Sequence, residues 1–392
     1  MDLTFIVVLV IALALFFDFT NGFHDTANAM ATPIATGAMK PKVAVALAAV
    51  LNLAGAFLST EVAKTISGGI IREGDGGISV GPEMIFAGLI GAIVWNIATW
   101  LFGLPSSSSH ALFGGLIGAA LVGAGLGAVD FNVLAAKVII PALFAPVVAA
   151  SAAFLATRFA YAITRRYDGK PDGRDGFRRA QIFSSGLVAL AHGTNDAQKT
   201  MGIITLTLIA VGAQAPKTGP EMWVIVSCAV AIALGTYMGG WRIIRTLGAG
   251  LTEVKPAQGF AAETSTAATI LASSHVGFAL STTQVASGSV IGSGLGRRGS
   301  KVRWRTVRHI VTGWLLTLPA SAAVGGVAAL IAKLGAPGVL LNSLLGGAAV
   351  FLMYLVSRRS PVGHHNVSEI SESAAAVKIK KNPKPKRKKA SK

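Results

Sequence analysis

The chain of 392 residues has a single cysteine, Cys228, and charged side chains make up only 13% of it. One cysteine excludes an internal disulfide framework and a thiolate metal cluster. So little charge, against about 25% in soluble domains, argues against a water-soluble enzyme and against a disordered polar chain. Acidic residues are the scarcer sign, 17 against 35 basic, for a formal net charge of +18. The sequence contains no Gly-x-x-x-x-Gly-Lys-[Ser/Thr] loop and no zinc motif, so ATP-driven pumping by this chain has no support. Met1–Phe17 is apolar but carries Asp2 and lacks a basic start, which predicts a retained first span rather than a cleaved leader.

What is present is apolar. Hydrophobic residues reach 52%, and many of the 46 glycines lie inside apolar runs. Small residues in apolar helices let membrane helices approach closely. The fold class expected is an all-α polytopic membrane protein in the cell membrane. Candidate spans are Leu3–Phe19 continuing after a polar break to about Met39, Val43–Thr60, Met84–Phe102, Ala111–Leu126 and Leu134–Ile163. After Thr164–Ala180 come Ile182–Ala191, Gly202–Val211, Met222–Trp241, Phe260–Phe278, Val285–Leu295, Val307–Ile331 and Val339–Val356. Several are shorter than the roughly 20 residues a bilayer requires, which suggests broken or re-entrant helices.

Lys and Arg gather at Lys40/Lys42, Arg158–Arg179, Arg242/Arg245/Lys255, Arg297–Arg308 and the tail from Arg358. The positive-inside rule places these in the cytoplasm and the N-terminus outside. The second half then repeats the path of the first upside down. Residues match as well: Gly22-Phe23-His24-Asp25 with Gly193-Thr194-Asn195-Asp196, and Ser107-Ser108-Ser109-His110 with Ser281-Thr282-Thr283-Gln284. Gly114 and Gly118 keep step with Gly288 and Gly292. Two inverted-topology repeats, each with a broken first helix and a re-entrant-type helical hairpin, are the expected architecture, and that is the pattern of a secondary transporter. The division expected is 1–163 and 181–335 for the repeats, with 164–180 a cytoplasmic loop between them. Residues 336–357 then form an additional helix and 358–392 a basic disordered cytoplasmic tail.

Polar clusters interrupt the apolar chain at Asp18–Asn28 and His192–Thr200. A charged side chain at mid-bilayer costs about 2.5–3.5 kcal/mol even on mild scales, so each cluster needs partners or a ligand. Polar loops at the interface are the plainer alternative. The runs Pro105–His110 and Ser281–Gln284 each precede a small-residue helix. Their hydroxyls either cap that helix or, with its free N–H groups, form a neutral cradle for a tetrahedral oxyanion. Glu263 lies in an apolar arm and reads equally as a proton or cation site or as an interfacial residue. His110 and Gln284 follow the hydroxyl runs, as substrate donors or as structural hydrogen bonders.

At these residues the chain resembles the inorganic phosphate transporter (PiT) family of ion-coupled symporters, in its bacterial low-affinity branch. The resemblance rests on Asn21-Gly22-Phe23-His24-Asp25-Thr26-Ala27-Asn28-Ala29, on Gly193–Lys199 and on the two hairpin runs, and covers residues 1 to about 333. It implies inorganic phosphate as substrate, bound by Ser107, Ser108, Ser109, Ser281, Thr282, Thr283, Asn195 and Lys199. It also implies that Asp25 and Asp196 carry the coupling cation or proton, with His24, Asn28 and Thr26 nearby. Lys199 stands where the first half has Asn28, and an ammonium there can replace a bound cation beside Asp196. His24 has a side chain suited to proton traffic. Coupling to H+ or Na+ is therefore expected, or co-transport of a divalent metal as a neutral metal–phosphate complex, with no cofactor and no fixed structural metal site.

Three rivals stand beside this reading. A sulfate symporter shares the fold, but sulfate lacks the P–OH donor that Asp25 and Asp196 can accept. A membrane-embedded hydrolase would pair a serine with His24, His110 or His192, and a channel would need no matched half-sites. The tail Lys378–Lys392 is expected to meet anionic lipid headgroups at about 1 kcal/mol per basic residue, rather than nucleic acid. A homodimer is left open.

Overall fold

The computed structural model describes residues 3–67, 81–164, 171–216 and 218–367. Among these the chain is helical, with no strand beyond one isolated bridge from Thr252 to Val302. The first half runs through α1 (Leu3–Ala35), α2 (Pro41–Gly55) and the short α3 (Glu61–Thr65). A hairpin of α4 (Pro82–Leu101) and α5 (Ser108–Ala124) leads to α6 (Phe131–Leu134), which continues through a π-helical turn into α7 (Ile140–Ile163). The second half has the same order: α8 (Pro171–Ala210), α9 (Met222–Met238), α10 (Trp241–Ala249), the hairpin α11 (Pro256–His275) and α12 (Thr282–Gly296), then α13 (Trp304–Ala332). One more helix, α14 (Ala336–Ser357), follows.

The expected break in each first helix is not found. Helix α1 is continuous over 33 residues, about 50 Å at 1.5 Å per residue, and α8 is continuous over 40. The polar clusters lie inside unbroken helix because a helix satisfies its own backbone whatever its side chains are. Hydropathy had registered polar side chains, and these find partners on neighbouring helices. The break falls one element later in each half. Helix α9 ends at Gly239, whose φ of +74° only glycine adopts cheaply, and the chain turns by 67° into α10. Helix α2 likewise ends at Gly55 before the separate α3.

Two boundaries also shift. Helix α8 starts at Pro171, inside the stretch 164–180 expected as a loop. The first residues of the expected disordered tail are tied down. Arg242 donates to the carbonyls of Ser357 and Ser360 at 2.8 and 2.7 Å, and Arg245 to that of Asn366 at 2.8 Å. The lysine-rich run Lys378–Lys392 lies outside the described residues.

The two halves are interleaved. Helix α5 packs along α13 of the other half, and α12 packs along α7. Glycine makes both contacts. A Cβ on Gly118 would lie 2.0 Å from the Ala322 carbonyl oxygen, and one on Gly292 the same distance from that of Ala150. The long polar helices use the same device: Gly22 faces the backbone of Ile232 on α9, and Gly193 that of Asn52 on α2. Replacing Gly118 with Val must push α5 off α13, at a cost of about 1–3 kcal/mol for an overpacked contact. The expected result is a lower unfolding temperature in detergent; an unchanged one would mean that the contact is not tight.

Among the described residues five helices are long and apolar enough to cross a membrane, α1, α4, the continuous Phe131–Ile163, α13 and α14, and a sixth span exists if the bent α9–α10 pair counts as one. Large apolar side chains such as Phe144, Leu155, Leu340, Leu344 and Phe351 stand exposed on α7 and α14. Such rows suit an apolar surrounding, as the lipid of a membrane provides.

Candidate functional site

The middles of α1 and α8 meet the N-termini of α5 and α12, and everything polar there is buried. Asp25 on α1 accepts from the Ser108 hydroxyl at 2.8 Å and from the Thr283 hydroxyl at 3.2 Å. Thr282 lies between the two carboxylates, its hydroxyl 3.4 Å from Asp25 Oδ2 and 3.0 Å from Asp196 Oδ2. One hydroxyl has one proton, so Thr282 serves the two aspartates alternately. Asn28 donates to Thr282 and Thr283 at 3.3 and 3.1 Å. The centre therefore draws on both hairpins and both polar helices.

Basic groups flank the two acids. His24 Nδ1 is 2.5 Å from Asp25 Oδ1, and its Nε2 is 3.3 Å from the Thr99 hydroxyl. Lys199 pairs with Asp196, one helical turn away, and also donates to the Leu280 carbonyl at 3.0 Å. His192 Nε2 is 2.9 Å from Asp196 Oδ2 and 3.9 Å from Asp25 Oδ2, while its Nδ1 is 3.2 Å from Asn52 Oδ1. Ligand atoms of Asp25, His192 and Asp196 all lie within 4.8 Å of one another, a spacing that suits a metal ion. Two carboxylates this close repel each other, and Lys199, a proton or a bound cation offsets that repulsion.

The remaining sequence-derived residues divide. Ser107 and Ser281 are helix caps, their hydroxyl oxygens accepting the N–H groups of His110 and Gln284 at 3.1 and 3.3 Å. Each keeps its hydroxyl proton for donation elsewhere. Ser109 donates to the Leu280 carbonyl at 3.3 Å. Thr26 turns away from the centre, to the carbonyls of Gly22 and Thr236 at 2.6 and 3.2 Å. Asn195 donates to Ser274 at 2.9 Å and to the Phe278 carbonyl at 3.4 Å, joining α8 to the α11 end of the hairpin. His110 is buried near Lys199, and the Gln284 side-chain oxygen is buried without a partner.

Glu263 stands apart from this centre. It is buried and accepts from Thr32 at 2.6 Å, Gln181 at 2.9 Å and Ser184 at 2.5 Å, so its carboxylate is bonded inside the protein. The hydrolase geometry is not formed: among the described residues no serine hydroxyl bonds to a histidine ring.

Sequence reasoning used His192 only as a base for that hydrolase. Its position four residues before Asp196 puts both on one helix face, which was signal enough to include it with the aspartates. Asp18 and Asn21, in the first polar cluster, received no role at all.

A phosphate transporter family model matches residues 21–325 of the chain. A probable low-affinity inorganic phosphate transporter of Mycobacterium bovis is 54% identical over 367 residues, 93% of this chain and 87% of that protein. One of Bacillus subtilis is 40% identical over 329 residues, 84% of this chain and 98% of that protein. Among solved structures, a sodium-dependent phosphate transporter shares the fold, with a TM-score of 0.74 at 24% identity over 84% of this chain and 99% of that one. These relatives are transporters and not enzymes, and a chain with this many apolar helices spans the cell membrane several times. The chain belongs to the phosphate transporter family.

Proposed function

We propose that this phosphate transporter is a symporter, coupled to a proton or sodium gradient and working by alternating access between two inverted repeats. The observation that carries the reading is the shared use of hydroxyls: Ser108 from one hairpin and Thr282 and Thr283 from the other converge on Asp25 and Asp196. A cation or proton that neutralises the aspartates frees those hydroxyls to donate to an anion instead. Substrate and cation then depend on each other. The N-termini of α5 and α12 add positive dipole ends at the same place. The element order and the crossed packing of α5 on α13 and α12 on α7 support the inverted relation.

Phosphate fits this centre better than sulfate because a protonated phosphate oxygen can donate to an aspartate. Labelled phosphate uptake into proteoliposomes should be blocked by excess unlabelled phosphate and little affected by sulfate. Equal competition by sulfate would remove the basis for selectivity. The Asp25, His192 and Asp196 triad also supports entry of phosphate with a divalent metal, which adding or chelating Mg2+ in the same assay tests.

Ser108→Ala and Thr282→Ala each remove a donor to a desolvated charge, worth roughly 1.5–3 kcal/mol. Apparent phosphate affinity should fall about tenfold or more with expression unchanged; unaltered affinity in both would leave these hydroxyls as mere supports for Asp25 and Asp196.

Orientation has a separate test. Cys228 is buried, so the wild-type background is quiet. Cysteines introduced at Asp172 and Ser371 should be shielded from an impermeant thiol reagent applied outside intact cells. Labelling of both from outside would reverse the topology.

A further inference from the structure

Asp18 is fully buried on α1, and neither carboxylate oxygen has a hydrogen-bond partner. Both ends of the Asn21 amide, one turn on, are also buried and unpartnered, as is the Thr200 hydroxyl on α8. Thr200 is the hydroxyl that faces the Asp18 carboxyl. A buried carboxylate that nothing solvates is expensive as an anion and cheap as a neutral acid. The three side chains share the interface of α1 and α8 with the central site: Asp18 and Asn21 precede Asp25 by seven and four residues, and Thr200 follows Asp196 by four. On helices those spacings keep them on one face, Asp18 about two turns from Asp25, and Asn21 and Thr200 about one turn from Asp25 and Asp196.

We propose that Asp18, with Asn21 and Thr200, is a second cation site of this transporter, and that the cation it takes is a proton. The inference rests on the symport reading above and adds a residue that reading leaves unused. A proton rather than a metal ion suits the donors. Asp18, Asn21 and Thr200 offer four side-chain oxygens, fewer than the six or more that hard metal ions gather. The backbone carbonyls there are engaged within continuous helices. The charged and titratable groups facing Asp18 are Asp196, His192 and Lys199 from α8, with the Cys228 thiol from α9. An ammonium in that set opposes added positive charge, a divalent metal ion most strongly, whereas one proton brings the Asp18 carboxylate only to neutrality.

The site has no mate. In the register that pairs Asp25 with Asp196, Asp18 matches Ala189 and Thr200 matches Ala29, so the second half cannot build it. A proton site on one side only of a symmetric centre loads from one side of the membrane. With the N-terminus outside, Asp18 lies on the outer side of Asp25, where an importer driven by external protons must load.

The full chain in proteoliposomes tests this, comparing wild type with Asp18→Asn, Asp18→Glu and Thr200→Val. Three assays are run: phosphate counterflow without a gradient, accumulation driven by a pH gradient without sodium, and accumulation driven by sodium at clamped pH. A pH dye inside the vesicles reports proton entry on phosphate addition. Asp18→Asn should lose about tenfold or more of pH-driven accumulation and the phosphate-triggered proton signal, while counterflow stays measurable. Asp18→Glu should keep both, and Thr200→Val should shift the pH at which uptake is half-maximal. Asp18→Asn with full pH-driven accumulation overturns the proposal. So does loss confined to the sodium-driven assay, which would make this a sodium site. Absence of wild-type counterflow would strike the phosphate symport reading instead.

Discussion

Asp25→Asn is expected to abolish gradient-driven phosphate accumulation while leaving at most slow exchange. Asp25 accepts from Ser108 and Thr283, lies 3.4 Å from the Thr282 hydroxyl and touches His24, so it is the acid on which the two hairpins converge. Asp196 has the Lys199 ammonium against it, whereas Asp25 has only imidazoles, His24 at 2.5 Å and His192 at 3.9 Å. The carboxylate without a permanent counter-charge is therefore Asp25. Burying it unpaired beside an anion is prohibitive, so occlusion of phosphate must await its cation. Asparagine keeps the shape and removes that requirement, and the gradient loses its grip on the substrate. Normal gradient-driven uptake in Asp25→Asn would sink this division of labour. Asp196→Asn, which unpairs Lys199, should chiefly weaken phosphate binding.

Lys199→Met is expected to be the most damaging single change at the centre. Lys199 is buried in full contact with Asp196, and removing one partner of a buried ion pair costs about 3–5 kcal/mol because the other charge is stranded. Asp196 would then face Asp25 with only imidazoles to offset the repulsion. Phosphate affinity and thermal stability should both drop sharply. The double variant Lys199→Met with Asp196→Asn should recover stability but not affinity, since the neutral pair no longer strands a charge yet offers no positive partner to the anion. Equal instability of the single and double variants would show that Lys199 acts through packing alone. Lys199→Asn restores the residue type of the matching position, Asn28, and should raise the response of uptake to sodium.

Much of this centre was legible because acid, amide and hydroxyl residues are anomalous in an apolar chain. Asp25, Asp196, Asn28, Ser108, Thr282 and Thr283 announce themselves by type, and the repeat of their spacing ties them together. Orientation was not legible. Thr26 is one residue from Asp25 yet bonds to backbone carbonyls, because its face of α1 looks toward α9. Ser107 and Ser281 spend their oxygens on helix caps. Continuity of α1 was missed since hydropathy reports where side chains prefer to be, whereas the helix depends on backbone bonds that polar side chains do not disturb. The partners of Glu263 were not legible either: Thr32, Gln181 and Ser184 donate to it from two other helices. Neighbours from distant parts of the chain decided the cases of Thr26 and Glu263.

Coupling is the central claim, and accumulation of labelled phosphate against its own gradient measures it most directly. Purified protein in proteoliposomes should concentrate phosphate when an inward proton or sodium gradient is imposed, and release it when an ionophore collapses that gradient. Phosphate that only equilibrates, at a rate indifferent to both gradients, would contradict symport and leave a passive phosphate pathway in its place.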